Sequence, residues 1–177
     1  MSLWVFGYGS LLWNPGFEVA ERCTARLEGY ARSFCMRSIH HRGTEEAPGL
    51  VLALDAKDGA CCDGLALRAA PGSETQVIDY LRARELVSSA YLERSLPIGL
   101  QDGRRIEALV YVIDPDHVQY CTLTLEEQAQ IIARASGGRG TNRDYLYNTA
   151  AHLDELGLPD PELHWLTDRV RQLSPVS

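Results

Sequence analysis

The dipeptide Asp102-Gly103 stands between two apolar runs, residues 91–100 and 105–114, and no other feature limits the fold of this chain as strongly. Asp-Gly supplies the left-handed backbone that a tight reversal requires, so apolar runs on either side of it pair as a β-hairpin. In the second run Ile106, Ala108, Val110 and Val112 alternate with Glu107, Leu109, Tyr111 and Ile113. Alternation is the period of a strand, and because both series are largely apolar this strand belongs inside its sheet. The same device recurs at Asp58-Gly59, where it predicts a second hairpin between residues 50–55 and 60–67. Residues 3–7 and 25–38 add two more strand-like runs. Between them Gly7, Gly9, Asn14, Pro15 and Gly16 prevent a long helix.

Helices announce themselves by their caps. Ser73-Glu74-Thr75-Gln76 and Thr124-Leu125-Glu126-Glu127 both have the form in which an N-cap hydroxyl and the side chain three residues on satisfy each other's backbone amides. The helix after Thr124 is expected to stop at Gly137-Gly138. A third runs from Asn142 to Leu156 with Gly157 as its stop, and a fourth begins at Asp160-Pro161, where Asp caps and Pro takes the first helical position. No repeat, low-complexity tract or Pro/Ser-rich linker divides the chain, so residues 1–177 are expected to form a single domain. Strands come in hairpins instead of alternating one for one with helices. The expected class is therefore α+β, with a largely antiparallel, barrel-like sheet and flanking helices.

A formal charge of −7 argues against a nucleic acid or an acidic membrane as partner, because phosphate binding depends on clustered Lys and Arg. A small-molecule ligand is expected instead. The apolar run at the amino terminus has no basic segment ahead of it, and no stretch approaches the roughly 20 apolar residues that span a bilayer. Five irregularly spaced cysteines, Cys23, Cys35, Cys61, Cys62 and Cys121, contain no C-x-x-C pair and suit a reducing, cytoplasmic setting.

Two features invite chemistry. In Phe6-Gly7-Tyr8-Gly9-Ser10-Leu11 two glycines close a strand and can expose backbone amides to a carboxylate or an oxyanion; a tight turn needing glycine for its dihedrals is the plainer reading. A dinucleotide fingerprint fails because Leu12 stands at the third glycine position and Pro15 interrupts the helix. The second feature is Glu85, near the end of the helix that follows Ser73. Positions 78, 81 and 85 share one helical face, so Glu85 projects from the stripe made by Ile78 and Leu81. Desolvation and the negative helix end both raise a carboxylate's pKa, as a general base at neutral pH requires. Alternatively, Glu85 pairs with Arg82 or Arg84.

Other residues carry less. His40 and His41 are adjacent in an expected strand and cannot chelate one metal together, and no histidine lies in a metal-binding spacing. Ser10 lies outside any G-x-S-x-G. Arg42 can clamp a substrate carboxylate or stand solvated, and Tyr145 can contact a ligand or pack in the core.

Trp4-Val5-Phe6-Gly7-Tyr8-Gly9-Ser10-Leu11-Leu12-Trp13, His41-Arg42-Gly43, Pro48-Gly49, Arg84-Glu85 with Tyr91, and Gly140-Thr141-Asn142 with Tyr145-Leu146 follow one another in this order. Together they resemble the ChaC-like γ-glutamylcyclotransferases over about the whole chain. The resemblance implies that family's small mixed β-barrel with flanking helices. It implies that Tyr8, Gly9, Ser10 and Leu11 form the loop holding a γ-glutamyl group and that Glu85 is the catalytic glutamate. The implied reaction needs no metal or cofactor: glutathione is cleaved by internal cyclisation to 5-oxoproline and cysteinylglycine. Other γ-glutamyl amines or amino acids as substrates, and a non-catalytic binding module, are the alternatives. Leu86-Val87-Ser88-Ser89 after the Arg-Glu pair resembles the bacterial branch, and Leu50 stands where relatives commonly carry an arginine.

Overall fold

The computed structural model describes residues 2–86 and 90–174. The chain divides into two compact units, Met1–Ser33 with Ala53–Val118 and Phe34–Leu52 with Gln119–Ser177.

The first unit is built on strands β1 (Trp4–Gly7), β2 (Val19–Ser38), β3 (Gly49–Ala69), β4 (Tyr91–Leu100) and β5 (Arg105–Ile113), with helix α1 (Glu74–Glu85) between β3 and β4. The ends of β2 and β3 that face each other in sequence, residues 34–38 and 49–52, belong to the second unit. The strands close a barrel in the order β1-β3-β2-β4-β5, with β5 returning to β1. The β1/β5 pair is parallel at Val5 and Leu109, whereas β1/β3, β2/β4 and β4/β5 are antiparallel, which gives the mixed, largely antiparallel barrel expected. Val5, Phe6, Leu27, Leu65, Leu67, Ile98 and Val110 are buried on its strands.

The β4/β5 hairpin forms as the sequence predicts, in register from Tyr91 with Ile113 to Gly99 with Arg105. Gly103 takes φ +95° at its tip, and Leu100 N–H donates to Arg104 O at 2.7 Å. β5 is paired on both sides, in keeping with its two apolar faces. Asp58-Gly59 corrects the second prediction. β3 runs straight through it as one strand of 21 residues, with Gly59 at φ +80°. The adjoining β2 likewise carries Gly29 at φ +87°. A left-handed glycine inside a strand makes a bulge or a barrel corner, so the dipeptide bends this strand instead of reversing it.

At α1 the predicted capping box is absent. Ser73 has φ −103° and ψ 3°, far from the extended backbone that lets an N-cap hydroxyl reach the helix amides, and its Oγ donates to Ala70 O at 2.6 Å instead. Thr124, at φ −67° and ψ 161°, is extended, and both bonds of its box form with Glu127.

The second unit packs α2 (Leu125–Arg134), α3 (Asn142–Glu155) and α4 (Pro161–Leu173) against one another around Ile132, Leu146, Leu153, Leu163, Leu166 and Val170. α3 and α4 end and begin as predicted: Gly157 turns at φ +74°, and Asp160 accepts from the Glu162 and Leu163 amides ahead of Pro161. α2 stops earlier than Gly137, because residues 136–141 form a small ribbon of β6 (Ser136–Gly137) and β7 (Gly140–Thr141). His40 and His41 lie in a bend after β2, not in a strand. Gly138 N–H donates to His40 O at 2.7 Å and Arg139 N–H to His41 O at 2.9 Å, so the two glycines serve a close backbone approach instead of a helix stop.

Candidate active site

In the first unit the chain leaves β1 and coils into a single 3-10 turn, Ser10–Leu12, with Gly9 as its N-cap. Tyr8, Leu11 and Leu12 are buried, which anchors the loop, while Ser10 stays half-buried. Tyr8 O accepts from Arg32 Nε at 2.9 Å, and the same guanidinium donates to Asp63 O. Arg32, on β2, thereby fixes one end of the loop through a backbone atom.

α1 holds the other end. Arg84 Nη2 donates to Ser10 Oγ at 2.9 Å, and Nη1 donates to Asn14 O at 2.6 Å, Pro15 O at 3.3 Å and Tyr80 Oη at 3.2 Å. Its Nε lies 3.6 Å from Glu85 Oε1. Arg84 therefore touches both Ser10 and Glu85, and the structure brings these two predicted residues together around it.

Glu85 closes α1 with only 16% of its side chain exposed. Burial pushes its carboxyl above the ordinary carboxylate range, and the positive charge of Arg84 partly offsets this. The apolar face from which it projects is Val77 and Leu81, each one turn from the next; Ile78 is only half-buried, which corrects the predicted stripe by one residue. Of the two arginines that could have paired with it, Arg82 turns away and donates to both Glu93 oxygens at 3.0 Å. Tyr111 Oη donates to Glu93 Oε1 at 2.8 Å. Burial, this bond and the charges of Glu93 and Glu85 hold the Tyr111 phenol strongly protonated.

In the second unit Arg42 lies over the Tyr145 ring, 5.5 Å from its centroid, and donates through Nη1 to Thr141 O at 3.2 Å. Burial draws its pKa down, partly offset by Tyr145 and Asp144. Tyr145 is a core residue, edge-on to Phe34 at 6.0 Å and accepting from Leu52 N–H at 3.1 Å, and its ring is also the platform for Arg42. Three glycines lock the backbone around Arg42. A Cβ on Gly43 would lie 2.0 Å from Gly49 N, one on Gly49 2.3 Å from Arg42 O, and one on Gly137 2.5 Å from Gly43 N. Asn142, fully buried, accepts from Leu50 N–H at 2.7 Å and donates to Leu50 O at 2.8 Å, completing that strand end as a neighbouring strand would. Partial burial draws the His41 pKa down, and the neighbouring guanidinium groups of Arg139 and Arg42 act in the same direction.

Sequence reasoning missed Arg32 and the reach of Arg84. Both act on backbone carbonyls, which carry no residue signature. A cleft of about 220 Å³ between α3 and α4, lined by Tyr147, Asp154, His164, Thr167 and Arg171 among others, contains none of the predicted site residues. Among the described residues no three His, Cys, Asp or Glu side chains converge to share a metal ion. Residues 87–89, part of the segment that resembles the bacterial branch, lie outside the described residues.

A family model described as "ChaC-like protein" matches residues 3–173. The glutathione-specific γ-glutamylcyclotransferase of Escherichia coli (strain K12) is 40% identical over 172 residues, which cover 97% of this chain and 74% of that protein. The glutathione-specific γ-glutamylcyclotransferase of Schizosaccharomyces pombe is 35% identical over 181 residues, covering 92% of this chain and 88% of its own length. In fold, the chain superposes on the crystal structure of a γ-glutamyl cyclotransferase specific to glutathione from yeast with a TM-score of 0.86 and 23% identity, over 97% of this chain and 96% of that one.

Proposed function

The chain belongs to the ChaC-like protein family, and from that premise we propose that Glu85 is the general base with which it cleaves glutathione to 5-oxoproline and cysteinylglycine. The enzyme is of the γ-glutamylcyclotransferase type. The observation that carries the role of Glu85 is its placement: a carboxylate on an apolar helix face, with its pKa raised by burial, held through Arg84 beside the Tyr8–Gly9–Ser10–Leu11 loop.

The reaction moves two protons from the α-nitrogen, which goes from ammonium to lactam N–H, to the leaving nitrogen. Glu85 takes a proton from the α-ammonium of the γ-glutamyl residue, and the amine attacks its own γ-carbonyl carbon. A new C–N bond closes the five-membered ring, and protonated Glu85 gives its proton to the cysteinyl nitrogen as the bond to that nitrogen breaks. The regenerated carboxylate takes the second proton from the ring nitrogen, leaving a neutral lactam, and passes it to the released amine. Nucleophile and electrophile belong to one molecule, so holding them in contact replaces a protein nucleophile; effective molarities on the order of 10⁵ M or more are available to such a closure. Backbone amides of Tyr8 to Leu11 are the proposed donors to the tetrahedral oxyanion. In the second unit, Arg42 on its Tyr145 platform is the proposed partner of a substrate carboxylate.

All five cysteines are free thiols, in keeping with the reducing cytoplasm as the proposed compartment. No helix among the described residues is long and apolar enough to cross a membrane. One family match over residues 3–173 takes in both compact units and supports reading 1–177 as one functional domain.

Incubating the purified protein with glutathione and measuring 5-oxoproline and cysteinylglycine tests the reading. Release of both in equal amounts is expected, with full activity after exhaustive chelation. Faster turnover of γ-glutamyl-ε-lysine would overturn the substrate, and activity lost to EDTA and restored by a divalent ion would overturn the metal-free mechanism.

A further inference from the structure

We infer that Arg84 is a positioning residue that turns the Ser10 hydroxyl into an oriented donor toward the substrate; this rests on the γ-glutamylcyclotransferase reading. A guanidinium has only donors. In its bond with Arg84 Nη2 the Ser10 oxygen therefore accepts, and the single Ser10 proton is left for another acceptor. The same guanidinium grips the chain just beyond: Nη1 meets the carbonyls of Asn14 and Pro15 and the Tyr80 hydroxyl. Ser10 is thus held both by its own oxygen and by the segment that follows it.

Geometry makes this a task for arginine. Its planar fork reaches Ser10 through one terminal nitrogen and the 14–15 carbonyls through the other, while Nε remains near Glu85. A lysine keeps the charge but presents all its donors from one point and cannot span these acceptors. The acceptor left for the Ser10 proton is an anionic oxygen of the γ-glutamyl group, either its α-carboxylate or the oxyanion that develops at the γ-carbon. Ser10, Arg84 and Glu85 then form one unit in which Arg84 sets the spacing between donor and base without touching substrate.

The test is a double-mutant cycle on the full chain with Ser10→Ala, Arg84→Lys and both together, read as kcat and KM per folded molecule. Each single change is expected to lower kcat/KM by roughly tenfold to a hundredfold if the donor meets the α-carboxylate, and by roughly a hundredfold to a thousandfold if it meets the developing oxyanion. The double variant is expected to fall within about threefold of Ser10→Ala alone, because both substitutions remove the same oriented proton. A loss confined to KM assigns that proton to the α-carboxylate, and a loss in kcat assigns it to the oxyanion. Independent, multiplicative losses, or normal turnover per folded molecule in Arg84→Lys, would overturn the inference.

A second measurement covers poor folding of Arg84→Lys. Methylguanidinium added to Arg84→Ala is expected to restore activity, and to restore none in Arg84→Ala/Ser10→Ala; equal rescue of both would also overturn it. Wild-type turnover of glutathione tests the reaction itself, so its failure is distinguishable from that of Arg84. If another γ-glutamyl compound is the better substrate, the same ratios are read on that compound.

Discussion

Arg84 and Arg42 are both half-buried arginines beside predicted site residues, yet their donors are committed in opposite ways. Arg84 donates to Ser10, Asn14, Pro15 and Tyr80 and lies beside Glu85. Among the described residues Arg42 donates one side-chain hydrogen bond, to Thr141 O, and rests on an aromatic face. The first has its donors bound up in the protein and can only hold parts in place. The second is oriented by a ring and by a backbone that admits no side chain at Gly43, Gly49 or Gly137, and it keeps donors for a ligand. Residue type alone does not separate a strut from a binding group; the count of committed donors does.

The largest effect is expected where Arg84 meets the base. Glu85→Gln keeps the size of the side chain and its hydrogen-bonding shape but cannot take a proton, so kcat falls by about 10² or more while KM changes little. Stability moves the other way. Because burial raises the folded-state pKa of Glu85 above its unfolded value, the native protein binds more protons between those two values, and stability declines as pH rises through that window. Above that window the buried charge is a net cost, so Glu85→Gln melts at or above the wild-type temperature there, and the advantage vanishes below it, where the wild-type carboxyl is protonated. Arg84 and Tyr111 are the groups coupled to this titration. Paired kcat and melting data at pH 7 decide the matter: a variant that melts early yet turns over normally would make Glu85 a structural partner of Arg84.

How much of this was legible depended on whether a residue's partner lies nearby in sequence. The β4/β5 hairpin was readable because its turn and both strands are contiguous, and the helix face of Glu85 because Leu81 stands one turn before it, although Val77 and not Ile78 completes that face. The Arg84–Ser10 link joins residues 74 apart, and two further partners of Arg84, the carbonyls of Asn14 and Pro15, are backbone groups that look alike in every sequence. Asp58-Gly59 misled for a related reason: the dipeptide signals a left-handed residue, and a bulge needs one as much as a turn does. Gly137 read as a helix stop, and the meeting of Gly43, Gly49 and Gly137 was not legible because nothing in their spacing says that three backbone segments will meet. Leu50, placed where relatives commonly carry an arginine, is fully buried with both its backbone groups on Asn142, so a leucine here serves the core.

The second unit is most sharply probed at that glycine contact. Gly43→Ala places a methyl 2.0 Å from Gly49 N and 2.5 Å from Ser38 O, both backbone atoms that cannot rotate away. Destabilisation by about 3 kcal/mol is expected, the upper end of ordinary overpacking, with kcat per folded molecule close to normal. Wild-type melting would show that the 38–49 segment yields freely and that Arg42 is not held as tightly as its surroundings suggest.

Arg42→Ala follows in size. If its remaining donors meet a substrate carboxylate, KM for glutathione rises about tenfold or somewhat more, the worth of one charge-assisted hydrogen bond, with kcat nearly unchanged. The contrast with Arg84 then becomes kinetic: one arginine alters affinity, and the other alters the disposition of donor and base. An unchanged KM would leave Arg42 as a lid on Tyr145 and remove half of the comparison.

The smallest expected effect lies away from both arginines. Thr167, on the inner face of α4, is buried, and its Oγ1 has no hydrogen-bond partner among the described residues. It lines the α3/α4 cleft, where His164 Nε2 lies 2.7 Å from Asp154 Oδ1 and Arg171 lies over Tyr147 at 5.2 Å. Asn142 in the same unit satisfies both of its amide groups on Leu50, so this unit can complete a buried polar side chain and has not done so at Thr167. Thr167→Val replaces the hydroxyl with a methyl of similar size and keeps the β-branch, so helix propensity and packing barely change. An unsatisfied buried hydroxyl costs roughly 1–3 kcal/mol, and recovering about 1 kcal/mol of that raises the melting temperature by about 2–4 °C in a chain of this length. Turnover should be unaffected, since none of the predicted site residues lines this cleft. A lower melting temperature would mean that the hydroxyl is satisfied by water held in the cleft, and that its polarity supports α4 instead of weakening it.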